Sequence, residues 1–272
     1  MKLIKFLFLF SIPLLLSTSC KNDDDTVPTP SEEKIFVKEI TYNDVPISQY
    51  TYNHDGLLVK AVVEGKYINP YFKFFHSDKK LKFIFYYDNN NKLDHSKIFY
   101  NDIIQDSLSI NTSGNDKIID KFHMKDGKWE KGKQLHLFYN ENQKIRKTVQ
   151  KNVIDGKLVT VMTDEFEYKD NNLVKEKHTY FNEVGNPMED KRTYQHIENP
   201  NPLFKINHII GFIVKLPELI SEDLISMETI DINGSVITID YSYKFNDKGY
   251  PTDVDVNVST GEKNSYKFNY YK

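Results

Sequence analysis

A chain of 272 residues with a formal net charge of -3 is long enough for one large β-domain or two small ones, and too acidic to present the basic stripe that nucleic-acid backbones require. Its single cysteine excludes a disulfide within the chain. Aromatic residues reach 14%, almost all Tyr and Phe, a mix that suits the half-buried surface of strands.

Residues 1–19 read as a secretory leader. Lys2 and Lys5 supply the positive start, and Leu3 to Leu16 form an apolar stretch interrupted by Lys5, Ser11 and Pro13. That core is too short and too broken for a spanning helix. Small residues Ser17, Thr18 and Ser19 then precede Cys20. Leu16-Ser17-Thr18-Ser19-Cys20 resembles the lipobox of bacterial lipoproteins, with Ser17 where that family usually has Leu. The resemblance implies cleavage before Cys20 and acylation there, which would hold the protein to a membrane.

Residues 20–34 read as a tether, because acidic and proline-rich sequence builds no core. The run Lys21, Asp23, Asp24 and Asp25 resembles the signal that exports some Gram-negative lipoproteins to the outer face of the outer membrane.

Residues 35–272 form a single β-repeat domain. An alternating aromatic strand runs into an Asn/Asp/Gly turn, then a Leu or Ile, then another strand. Tyr50–Leu57, Phe83–Asp88, Leu135–Asn140, Phe166–Leu173 and Tyr241–Pro251 are copies, and Tyr266–Tyr270 is the last strand. Period-2 alternation puts aromatic residues on one face and polar residues on the other. Tyr241, Tyr243 and Phe245 are therefore expected inside, with Ser242 and Lys244 in water. Short turns give antiparallel neighbours. The predicted fold is all-β: a long antiparallel meander of about ten or more strands, curled or closed into a barrel-like sheet that hides its edges. Leu203–Ile225 breaks the pattern. Its apolar residues fall at helical spacing around Pro217, which predicts a short helical segment packed on or plugging the aromatic face.

The repeats resemble tyrosine–aspartate repeats. More specifically, the domain is similar to a family of uncharacterised Gram-negative lipoproteins, a domain of unknown function with a porin-like fold. The similarity is strongest at Asn199–Phe204 and Phe245–Thr252. It implies a fold and no activity. Short strands, a final Lys272 and a redundant anchor argue against a lipid-facing barrel.

Candidate chemistry is sparse. The eight histidines, His54, His76, His95, His123, His136, His178, His196 and His208, lack zinc spacing and read as surface residues. Asp88–Lys92 begins like a calcium loop but has Leu93 and Phe99 where Gly and Glu are needed, so it reads as a turn. Neighbours such as Asp164 and Glu165 point to opposite faces of a strand and cannot share a substrate. Asp106-Ser107-Leu108 and Asp25-Thr26-Val27 resemble an O-glycosylation motif, at Ser107 and Thr26. Trp129, the only tryptophan, sits in a polar hairpin-like stretch, as a cap on the sheet or as a ligand platform.

These readings predict a lipid-anchored outer-membrane lipoprotein displayed at the cell surface. Its non-enzymatic β-domain binds a ligand or partner, with a glycan or an envelope protein as candidates. No cofactor, metal or nucleic acid is expected. The alternatives are a structural envelope protein and, third, a hydrolase with a carboxylate pair drawn from distant strands.

Overall fold

The computed structural model describes residues 35–64, 79–181, 185–204 and 220–271. It separates residues 1–34 from a unit of residues 35–272. The leader, Cys20 and the acidic run all lie outside the described residues.

Sixteen strands follow in chain order: β1 (Val37–Tyr42), β2 (Val45–Tyr52), β3 (Leu58–Glu64), β4 (Lys80–Tyr87), β5 (Leu93–Tyr100), β6 (Ile103–Ser113), β7 (Asp116–Lys125) and β8 (Lys128–Tyr139), then β9 (Ile145–Ile154), β10 (Lys157–Lys169), β11 (Asn172–Phe181), β12 (Pro187–Pro200), β13 (Asp223–Ile232), β14 (Ser235–Phe245), β15 (Pro251–Val258) and β16 (Lys263–Tyr270). Each pairs antiparallel with its neighbours in sequence, and β1 pairs with β16, closing a barrel. The predicted meander of about ten or more strands is observed, with sixteen.

Two turn chemistries join the strands. Pairs such as Asp126-Gly127 and Asp155-Gly156 adopt positive φ at both residues, the tight turn that matches the twist of its strands. Elsewhere, five-residue loops fold around an Asn or Asp side chain. Asn53 Oδ1 accepts from the amides of Asp55 and Leu57, Asp88 Oδ1 from Asn90 and Lys92, and Asn246 Oδ1 from Lys248 and Tyr250. This is the structural content of the repeat. Asp88–Lys92 is such a turn, as its sequence suggested.

Tyrosines near the ends of strands bind the neighbouring strand at that same end. Tyr87 donates to Leu58 O at 2.7 Å, Tyr243 to Ile225 O at 2.7 Å and Tyr270 to Pro251 O at 2.6 Å. The rings lie inside while these three hydroxyls use backbone acceptors, so their burial leaves none of the three stranded. Burial pushes the Tyr87 phenol up to about 12.

The apolar inward residues at the centre of β4 to β8 are closed off from water. Leu81, Phe83, Ile98, Leu108, Ile119 and Leu137 are each 0% exposed and belong to one hydrophobic cluster. Water running past these side chains would leave them exposed, and it does not.

Two expectations are corrected. Phe245 is 39% exposed rather than core, because a bulge between Lys244 and Phe245 breaks the alternation at the strand's last residue. Tyr241 and Tyr243 do point inward, half-buried, with Ser242 and Lys244 outside. The helical segment expected at Leu203–Ile225 does not reach its outer bounds: Leu203 and Phe204 lie in a turn, and Asp223–Ile225 already belong to β13. Residues 205–219 lie outside the described residues.

Candidate functional site

The inward positions of β9 to β14 hold charges where β3 to β8 hold leucine and phenylalanine. Cross-strand register sets Thr148 beside Asp164, Asp164 beside His178, Glu176 beside Arg192 and Tyr194 beside Glu228. The Thr148 hydroxyl donates to Asp164 Oδ2. His178 Nδ1 faces Asp164 Oδ1 at 2.6 Å, and its Nε2 faces Glu176 Oε1 at 3.1 Å. Tyr194 donates to Glu176 Oε2 at 2.8 Å. Arg192 donates to Glu228 Oε1 at 3.0 Å, and Tyr241 donates to Oε2 of the same carboxylate at 3.3 Å.

Desolvation governs this network. Burial pushes the Glu228 carboxyl up, against the pull of Arg192. Burial and then the Glu176 charge push the Tyr194 phenol well up. Burial opposes the Arg192 charge, but Tyr194, Glu176 and Glu228 outweigh it and hold the guanidinium protonated. A smaller group lies across β5 to β7: Tyr100 donates to Asp106 Oδ2 at 2.5 Å, and Lys121 Nζ is 2.8 Å from the same oxygen. Burial pushes the Lys121 ammonium down, with Asp106 opposing.

The geometry does not assemble a nucleophile and base. Thr148 bonds to Asp164 rather than to the imidazole, and both nitrogens of that ring face carboxylates. His178 is 7% exposed and Asp164 0%. Among the described residues, no cluster of His, Cys, Asp or Glu is arranged to hold a metal ion.

The outer wall differs from sector to sector. On β10 to β12 it carries a ladder of alternating charge: Lys175 donates to Glu167 at 2.8 Å, and Lys177 Nζ lies 2.7 Å from Glu189. On β4 to β9 it is aromatic and basic. Tyr86 stacks on His95 at 4.3 Å, Lys97 lies 5.5 Å over the Tyr86 ring, and Lys82 lies 4.5 Å over Phe99. His136 stacks on Phe138 at 3.9 Å. Trp129 sits at the first residues of β8, 41% exposed, opposite Met124 of β7.

No protein-family model matches the chain, and no curated protein does. Among solved structures, the chain is similar to a porin-like protein from Bacteroides vulgatus ATCC 8482, at 10% identity and a TM-score of 0.44, covering 87% of this chain and 99% of that one. A porin-like protein from Bacteroides uniformis ATCC 8492 is similar at 10% identity and a TM-score of 0.38, covering 86% and 96%. A protein of unknown function from Bacteroides fragilis NCTC 9343 is similar at 10% identity and a TM-score of 0.34, covering 41% and 88%.

His178 corrects the expectation that the histidines are surface residues. His54 meets it, with a side chain 90% exposed; His76 and His208 lie outside the described residues. The signal for His178 was present in Lys175-Glu176-Lys177-His178, where charges occupy both faces of one strand, so one set had to point inward and find partners. Ser107 lies on the outer wall of β6, and its hydroxyl donates to Ser96 O at 3.2 Å. Asp106, the acid of that three-residue motif, points inward and is engaged by Tyr100 and Lys121. Thr26 lies outside the described residues.

Proposed function

We propose that this protein is a lipid-anchored envelope lipoprotein whose barrel faces water on its outer wall and serves as a non-enzymatic binding module. The observation that carries the reading is the charge on the outer wall. A barrel that crosses a bilayer presents an apolar band about 25 Å tall to lipid and keeps its polar residues inside. Here Glu165, Glu167, Lys175, Lys177, Glu189 and Lys191 point outward from adjacent strands, while Leu81, Phe83 and Ile98 point inward. Lipid contact would strip water from those charges at high cost. An anchor at Cys20 would then supply the membrane attachment that the barrel wall does not. Burial of the His178 network supports the non-enzymatic reading.

The test separates anchor from barrel. Cys20→Ala should abolish palmitate labelling, and the chain should appear in the supernatant of alkaline-carbonate-washed membranes. Unchanged labelling would remove the anchor. Retention in the washed membrane, with detergent needed for release, would remove the water-facing wall.

A further inference from the structure

The outer wall of β4 to β9 has relief as well as charge. β6 sits between two aromatic pairs of strands, and beyond Ile104, which pairs with Phe99, its outward residues are Ser107, Ser109, Asn111 and Ser113. On one side stand Tyr86 and Phe99, with Lys97 beside them; on the other stand Phe122 and Phe138, with Lys131 paired to Phe122. Small side chains flanked by large ones make a shallow trough along β6. The strands on either side are separated by two inter-strand spacings, roughly 10 Å. The acids on this wall are engaged: Asp94 lies 2.7 Å from His95, Asp102 2.6 Å from Lys82, Asp116 3.6 Å from His136 and Asp120 2.7 Å from Lys131, while Glu165 of β10 lies 3.9 Å from Lys147. Lys80, Lys82, Lys97, Lys147 and Lys151 stand on the same wall of a protein that is acidic as a whole.

We propose that this trough binds a linear acidic polysaccharide laid along β6, an assignment that rests on the binding-module reading above and names its ligand. Sugar rings present flat C–H faces that pack on aromatic side chains, and their hydroxyls suit a floor of serine and asparagine. The lysines at the margins meet carboxylate or sulfate groups on the sugar. Lys82 and Lys147 have carboxylates of their own, so Lys80, Lys97 and Lys151 are the cations that an acidic chain, and not a neutral one, would engage. A nucleic acid would need more cations to replace its counterions than one wall offers. The opposite wall, β10 to β16, alternates Lys with Glu and Asp and supplies no comparable excess.

The experiment is affinity electrophoresis of the full chain, purified from membranes in mild detergent, through gels containing polygalacturonate or a neutral glucan. Polygalacturonate should retard the protein, less so at high salt, and the neutral glucan should not. Lys97→Glu together with Lys151→Glu should weaken retardation roughly tenfold, and Tyr86→Ala should do likewise, the scale of one lost aromatic anchor. Ser109→Trp, which fills the trough without changing charge, should also abolish it. Lys175→Glu on the other wall should change nothing. Thermal melts equal to wild type would show that each variant is folded. Equal retardation by both polymers would overturn the proposal. So would undiminished binding by the folded Ser109→Trp variant, or displacement of polygalacturonate by an equal mass of single-stranded oligonucleotide. None of these outcomes bears on Cys20 or on the carbonate wash, so the trough can fail while the anchored, water-facing barrel stands.

Discussion

The interior of β3 to β8 and that of β9 to β14 obey the same alternation and reach burial by opposite means. In the first, apart from the Tyr100, Asp106 and Lys121 group, the inward residues are mostly apolar, and Phe83, stacked on Phe85 at 6.0 Å, needs no particular partner. In the second, Thr148, Asp164, His178, Glu176 and Tyr194 each depend on the next strand for a hydrogen bond. An apolar wall tolerates small shifts of register, because its stabilisation scales with area removed from water. A charged wall does not, because each displaced partner leaves a desolvated group. The charged half thus specifies how its strands align, and the apolar half supplies cohesion.

Breaking one link on each side should expose that difference. Arg192→Met leaves the Glu228 carboxylate buried without its cation, and should cost about 3–5 kcal/mol in urea unfolding. Adding Glu228→Met should recover most of the loss, because the apolar pair removes both desolvation penalties. If the double variant were as unstable as the single one, the charges would contribute more than alignment. Phe83→Ala in the apolar half should cost about 4 kcal/mol, and no second substitution nearby should rescue it by removing a partner. A loss below about 1 kcal/mol would show that the apolar interior is loosely packed.

A finer probe uses protons. Burial holds the His196 imidazole below its ordinary value of 6.5, with Asp223 opposing. As pH falls, the unfolded chain binds this proton before the folded one does. The stability carried by His196 is therefore whole above pH 6.5 and is lost as pH drops through the folded value. His196→Gln should flatten the fall in urea midpoint below pH 6.5. Parallel curves for variant and wild type would dismiss the effect.

The same contrast explains what could be read from the sequence. Strands with Tyr, Phe or Leu inside announce themselves, as Phe83-Ile84-Phe85 does, and their Asn and Asp loops mark the turns. β9 does not: its inward Thr148 and Gln150 are polar, so the hydrophobic period vanishes although the strand is regular. β11 hides in the same way behind Lys175-Glu176-Lys177-His178. The interior network was legible only as an excess of charge, since partners such as Asp164 and Glu176 are fixed by register across strands. The trough was not legible either, because Tyr86, His95 and Ser109 line up, and Ser107 meets Phe122, only once β4 to β7 are laid side by side.

The pairing of β1 with β16 has a further consequence. Tyr271 donates its amide to Phe36 O at 3.0 Å, so the first and last described strands meet as any adjacent pair does. Every strand then has two partners and the order of strands is a ring, in which the seam is a hairpin that lacks only its loop. The sheet has no outermost member, and its backbone offers no unpaired row of amides and carbonyls along which another chain could add a strand. Whatever packs against the wall of these strands meets it through side chains.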